Sequence, residues 1–162
     1  MNIQTIKLRI KICLWIVITS LALSGITAFP LESELAVLKS HLNPNGMMGI
    51  WINTIYQAIK TTNDQFPWLS YGTDWLAFAH LVIAVVFIGP LKDPVRNIWV
   101  IQFGMIACIS IFPLAFIAGP IRGIPFFWRL IDCSFGVIGF IPLYVSYKYA
   151  RILENGQPAA IK

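Results

Sequence analysis

An all-α integral membrane bundle of four transmembrane helices is the fold class this sequence predicts, and three observations carry it. The 162 residues are 57% hydrophobic and only 12% charged, where soluble chains carry about 25% charged residues. Four stretches are free of Asp, Glu, Lys and Arg: residues 12–31 (20), 75–91 (17), 97–121 (25) and 133–147 (15, extended outward through Arg129 and Asp132 to Ile124). A hydrocarbon core of about 30 Å takes roughly 17–25 helical residues, and only backbone that satisfies its own hydrogen bonds crosses lipid in segments of this length. The chain thus reads as a single membrane domain over residues 1–162. Its spans are placed at about 11–29, 74–90, 95–118 and 125–148, with an amphipathic helical segment at 31–72, outside the membrane between spans 1 and 2.

The first span follows a basic leader, Met1–Lys11. Its apolar run, Ile12–Phe29, exceeds the roughly 7–15 residues of a secretory signal core, so it reads as a retained signal anchor. Ser20, Ser24, Thr27 and Ala28 share one helical face, the small surface that suits close helix packing in lipid. Pro30 then disfavours helix at Phe29.

Within the outer segment, Leu31, Leu35, Leu38 and Leu42 repeat at the helical period. Asn43-Pro44-Asn45-Gly46 signals a turn. A second helix carries Met48, Ile52, Ile55, Tyr56 and Ile59 on one face and Asn53, Gln57, Lys60, Thr61 and Asp64 on the other. Such pieces lie in the interface plane or cap the mouth of a bundle. Trp68 and Tyr71 lead back to the membrane as an aromatic belt, and Thr73 or Asp74 is placed to cap the second span.

Two hairpin connections share a pattern, Gly89-Pro90 to Pro94 and Gly119-Pro120 to Pro125. Glycine ends one helix and the second proline opens the next at its first position, with Asp93 as the cap before Pro94. Pro113 inside the third span is expected to bend it and free a carbonyl. The tail from Arg151 to Lys162 reads as short and loose.

Charge placement sets an orientation. Lys7, Arg9, Lys11, Lys92, Arg96, Lys148, Arg151 and Lys162 fall on one side of four alternating spans, and Lys39, Lys60, Arg122 and Arg129 on the other. The positive-inside rule puts both termini in the cytoplasm of a plasma (bacterial inner) membrane. The net charge of +5 is therefore topology and not a nucleic-acid footprint. Cys13, Cys108 and Cys133 form no C-x-x-C pair and behave as small apolar residues within spans. Neither a metal set nor a cofactor motif stands out: His80 is the one intramembrane histidine, and His80, His41, Asp74 and Asp132 lack diagnostic ligand spacing.

The candidate site is a polar cluster. Spans 2 and 4 run in the same direction; His80 lies six residues inside one and Asp132 six inside the other, roughly 9 Å deep in each at 1.5 Å per residue. Arg129 precedes Asp132 by one turn, Arg122 sits in the loop above and Asp74 at the start of span 2. A charge in the hydrocarbon costs about 2.5–3.5 kcal/mol on insertion scales, so Arg129 and Asp132 are expected to pair and face inward. In this reading Asp132 is the fixed anion, Arg129 its partner and His80 the titrating group, its ordinary pKa lying near neutrality.

Tyr71-Gly72-Thr73-Asp74-Trp75-Leu76-Ala77-Phe78-Ala79-His80 and Gly119-Pro120-Ile121-Arg122-Gly123-Ile124-Pro125-Phe126-Phe127-Trp128-Arg129-Leu130-Ile131-Asp132-Cys133 resemble stretches of an uncharacterised family of small four-helix bacterial inner-membrane proteins. The resemblance spans residues 45–150 and implies an inner-membrane location, with no activity attached. The acidic first-span residue of small multidrug exporters and the C-x-x-C of quinone-linked disulfide reductases are both missing.

Three functions are compatible with these features. The first is a non-enzymatic transport or assembly component that binds a proton, ion or small polar ligand in the outer half of the bundle. The second is a membrane-embedded enzyme or redox protein acting on a lipid-soluble substrate. The third is a structural subunit that receives another membrane subunit, or a second copy, on its glycine and serine faces. The lipid bilayer is the partner common to all three.

Overall fold

The computed structural model describes residues 2–156. Among them the protein is all-α: α1 (Ile3–Ala28), α2 (Leu31–His41), α3 (Met47–Gln65), a 3-10 turn at Pro67–Leu69, α4 (Tyr71–Val86), α5 (Ile88–Lys92), α6 (Ile98–Pro113), a π turn at Leu114–Ala118, α7 (Gly119–Ile121) and α8 (Phe126–Asn155). Four stretches are long and apolar enough to cross a bilayer: Ile3–Ala28, Pro67–Lys92, Ile98–Ile121 and Phe126–Asn155. The chain is a multi-pass membrane protein of four spans, with α2 and α3 between the first and second. It divides into two compact units, residues 1–19 with 84–162, and residues 20–83.

In the first unit the basic leader is part of α1, not a preface to it. Ile6, Ile10, Leu14 and Val17 are buried while Lys7, Arg9 and Lys11 are exposed. The apolar period therefore starts inside the charged stretch and draws it into the helix. Arg9 Nη1 donates to the Tyr149 hydroxyl at 2.5 Å, tying the start of α1 to α8.

The most extensive helix pair in this unit is α6 with α8. Gly136 and Gly139 make it possible: a Cβ at Gly136 would lie 2.7 Å from the Cys108 carbonyl oxygen, and one at Gly139 would lie 3.2 Å from Cys108 Sγ. The glycine face expected to receive another subunit is thus occupied by α6 of the same chain. Phe87, Val100, Ile101, Leu143 and Ala150 complete the core. Helix α8 runs on to Asn155, with Ala150 fully buried and Arg151 paired to Glu154 at 2.5 Å. Burial and pairing extend the helix into what reads by composition as a loose tail. Residues 157–162 of that tail lie outside the described residues.

Both hairpins differ from expectation. Gly89-Pro90 does not end the second span, which continues through α5 to Lys92. Pro90 falls in the first turn of that short helix, where its missing N–H is not needed. Asn97 Nδ2 donates to the carbonyls of Gly89 and Asp93 at 3.2 and 2.9 Å, closing the loop. Asp93 Oδ1 accepts from the Val95 and Arg96 N–H groups, capping the turn before α6 and not α6 itself. In the third span, Pro113 is followed by a wide π turn, Leu114–Ala118, closed by the Gly119 N–H on Leu114 O, and the helix continues.

At the second hairpin the helix ends at Gly123, not at Gly119. Gly123 has φ +69; its N–H bonds to Pro120 O, and Ile124 N–H bonds to Gly119 O, the paired bonds of a Schellman end. Pro125 then serves as the N-cap of α8. Gly123→Ala meets open space but a left-handed backbone, and should destabilise by about 1 kcal/mol. Gly72→Ala, also in open space but without positive φ, should be neutral. Thermal unfolding of the two variants in detergent checks the pair.

In the second unit, α2 and α3 pack as a helical hairpin through the buried Leu35, Gly49 and Ile52. Its turn is held by Asn43, whose Oδ1 and O accept from Asn45 N–H and Gly46 N–H. Leu38 stays exposed at the edge of the leucine stripe. Ser20, Ser24 and Thr27 of α1 are also exposed. Close approach to α4 is made at Gly25, where a Cβ would stand 2.8 Å from Ala77 O.

Candidate functional site

Asp74 and His80 belong to the unit of residues 20–83, while Arg122, Arg129 and Asp132 belong to the other. Helix α4 starts at Tyr71, so Asp74 is in its first turn and does not cap it. Ser70 O accepts the Thr73 and Asp74 N–H groups, work a side-chain cap would otherwise do. A carboxylate there is favoured by the positive end of the helix dipole.

His80 is half-buried, and its Nδ1 lies 2.8 Å from Leu76 O. A carbonyl only accepts, so Nδ1 carries the proton of this bond. In the neutral ring Nε2 is then the free basic nitrogen.

Asp74 also lines a small cavity of about 120 Å³ with Glu32, Ser33, Asn63, Ser70 and Thr73. Asn63 Nδ2 donates to Glu32 Oε2 at 2.6 Å, and Ser70 Oγ donates to Asn63 Oδ1. This chain of polar contacts joins α2, α3 and the start of span 2. Its partners are 31 and 7 residues apart, a separation that no local pattern reveals.

In the other unit, Arg129 stands in the first turns of α8, the end of a helix that disfavours cations. Its stem lies across Gly119, where a Cβ would meet Arg129 Cδ at 2.5 Å. Its guanidinium carbon is 5.2 Å from the centroid of the Phe126 ring, within cation–π range. Arg129 Nε is buried without a hydrogen-bond partner.

Asp132, one turn further on, is half-buried. Among the described residues the one ion pair is Arg151–Glu154, so Arg129 and Asp132 do not form the bridge their spacing suggests. Arg122 is exposed at the end of α7, its N–H bonded to Ala118 O. No group of three His, Cys, Asp or Glu able to hold a metal forms among the described residues.

No family model, curated protein or solved structure matches this chain.

Proposed function

We propose that this protein is a non-enzymatic component of the bacterial inner membrane, serving in transport or assembly. Both termini are cytoplasmic, and the α2–α3 segment lies outside. The spans bring a proton, ion or small polar ligand to charged groups in the outer half of the bundle. The observation that carries this reading is the pair of charges on α8, Arg129 and Asp132, held one turn apart with no ion pair between them. Arg129 Nε is moreover desolvated without a partner.

Charges at this depth cost about 2.5–3.5 kcal/mol each on insertion scales. Direct pairing is the cheapest relief, and this geometry forgoes it. A guanidinium turned one way and a carboxylate left open suit a third charged or polar group that binds and leaves. Asp74 and His80, on the second span, are titratable groups of the other compact unit and form no part of this pair.

The test is flux into vesicles loaded with a pH-sensitive dye. Reconstituted protein should dissipate an imposed proton gradient faster than protein-free vesicles do. Asp132→Asn should reduce that rate severalfold. Rates identical in wild type, Asp132→Asn, Arg129→Gln and empty vesicles would reject the transport reading.

A further inference from the structure

At the opposite end of the first unit from the α7–α8 turn lies a cavity of about 660 Å³. Its wall is made by the start of α1 (Ile3, Ile6, Lys7, Ile10, Lys11), the loop after span 2 (Leu91 to Val95) and the end of α8 (Ile152, Leu153, Gly156). The volume falls within the roughly 300–1,000 Å³ of small-ligand sites. It belongs to residues that the site in the outer half does not use.

Two features define its chemistry. The first is unbalanced positive charge. Lys7, Lys11 and Lys92 line it and are exposed, and none forms an ion pair with a described residue. The one acid on the wall, Asp93, is already engaged through Oδ1 by the Val95 and Arg96 N–H groups. The second feature is an apolar wall beneath that rim. Ile6 and Ile10, 4% and 1% exposed, lie beneath it, and its accessible apolar surface is that of Ile3, 60% exposed, with the half-buried Leu91, Val95 and Leu153.

Three cations above a wall of aliphatic side chains match a molecule with an anionic head and a hydrocarbon tail. The depth matches too. The cavity opens where the first, second and fourth spans end, the level at which lipid head groups sit. Basic pockets between transmembrane helices at that level hold phosphate head groups. A soluble anion would use the lysines and leave the apolar wall wet, which is why the pocket fits a lipid better than free phosphate.

We propose that this cavity binds an anionic phospholipid, its phosphate among Lys7, Lys11 and Lys92 and the upper part of an acyl chain against Ile3, Leu91 and Leu153. The site is independent of the proposed outer cluster, and either stands without the other.

The full-length protein, purified in a neutral detergent, would be titrated with phosphatidylglycerol, with phosphatidylcholine and with inorganic phosphate. Native mass spectrometry would read bound lipid, and thermal unfolding would read stabilisation. Phosphatidylglycerol should be retained and should raise the unfolding temperature, while phosphatidylcholine and phosphate should do neither. Each lysine changed to glutamine should weaken retention roughly fivefold, and all three together on the order of a hundredfold. Removing the same charge elsewhere, as Lys39→Gln, Lys60→Gln and Lys148→Gln, should leave retention unchanged.

Equal retention of the two lipids would overturn the proposal, as would loss of retention in the control triple variant. Full competition by inorganic phosphate would mark a simple anion site and reject the lipid. Should the triple lysine variant not fold, the single variant Lys92→Gln decides, since unchanged retention there also overturns the proposal.

Discussion

Replacing Gly136 with leucine is expected to separate α6 from α8 and leave the protein unable to reach its native packing. Even the first carbon of a side chain at this position would stand 2.7 Å from the Cys108 carbonyl oxygen, with Ile111 close behind. A flexible side chain would swing away from such a contact, but a helix carbonyl cannot do so without breaking the ladder it belongs to. Water is not there to repair a broken backbone bond in lipid. Helix pairs in lipid, moreover, are held largely by the close approach that small residues allow.

Gly136→Ala should cost about 1–3 kcal/mol, the usual range for overpacking, and Gly136→Leu more. A proximity assay reads the effect directly. A Cβ at residue 139 lies 3.2 Å from Cys108 Sγ, so Gly139→Cys should form an oxidant-induced bridge to Cys108. That bridge should be lost when Gly136→Leu is added. Bridging that persists would show that the helices stay together despite the added bulk.

The spans were legible because charge is scarce and its absence is unambiguous over twenty residues. The α2–α3 hairpin was legible because Leu35 and Ile52 sit at the centre of helical stripes and are buried there. Which glycine ends the third span was not. Gly119 and Gly123 are four apart, and both precede a proline within two residues. The helix runs through Gly119 to Ile121, and Gly123 takes the positive φ.

Arg129 and Asp132 show the limit of spacing arguments at the site. An i, i+3 pair shares a helix face, but helical side chains lean towards the N-terminus. Arg129 leans back over Phe126 and Gly119, away from an aspartate one turn towards the C-terminus. Spacing suggests a pair that the structure does not form. The polar chain from Glu32 through Asn63 to Ser70 was illegible for a different reason: its Glu32–Asn63 link exists only once α2 and α3 have paired.

The largest loss from a single truncation is expected at Phe87, which is 2% exposed and is among the largest fully enclosed side chains. It stands where α4 gives way to α5, and its ring fills the space opposite Gly104 of α6. Phe87→Ala should destabilise by about 3–5 kcal/mol, from lost contacts and from the cavity left behind.

Gly104→Ala probes the same contact from the other side. Its new methyl would lie 2.7 Å from Phe87 Cζ and 3.0 Å from Leu143 Cδ1, an overpacking worth about 1–3 kcal/mol. If the ring is what the methyl strikes, the two changes are coupled, and the cost of Gly104→Ala should fall when Phe87 is first shortened to leucine. A double-mutant cycle on thermal unfolding in one detergent separates the cases. A double variant less destabilised than the sum of the singles would place Phe87 in direct contact with α6. Strict additivity would mean that the helix at Gly104 is constrained by Leu143 alone.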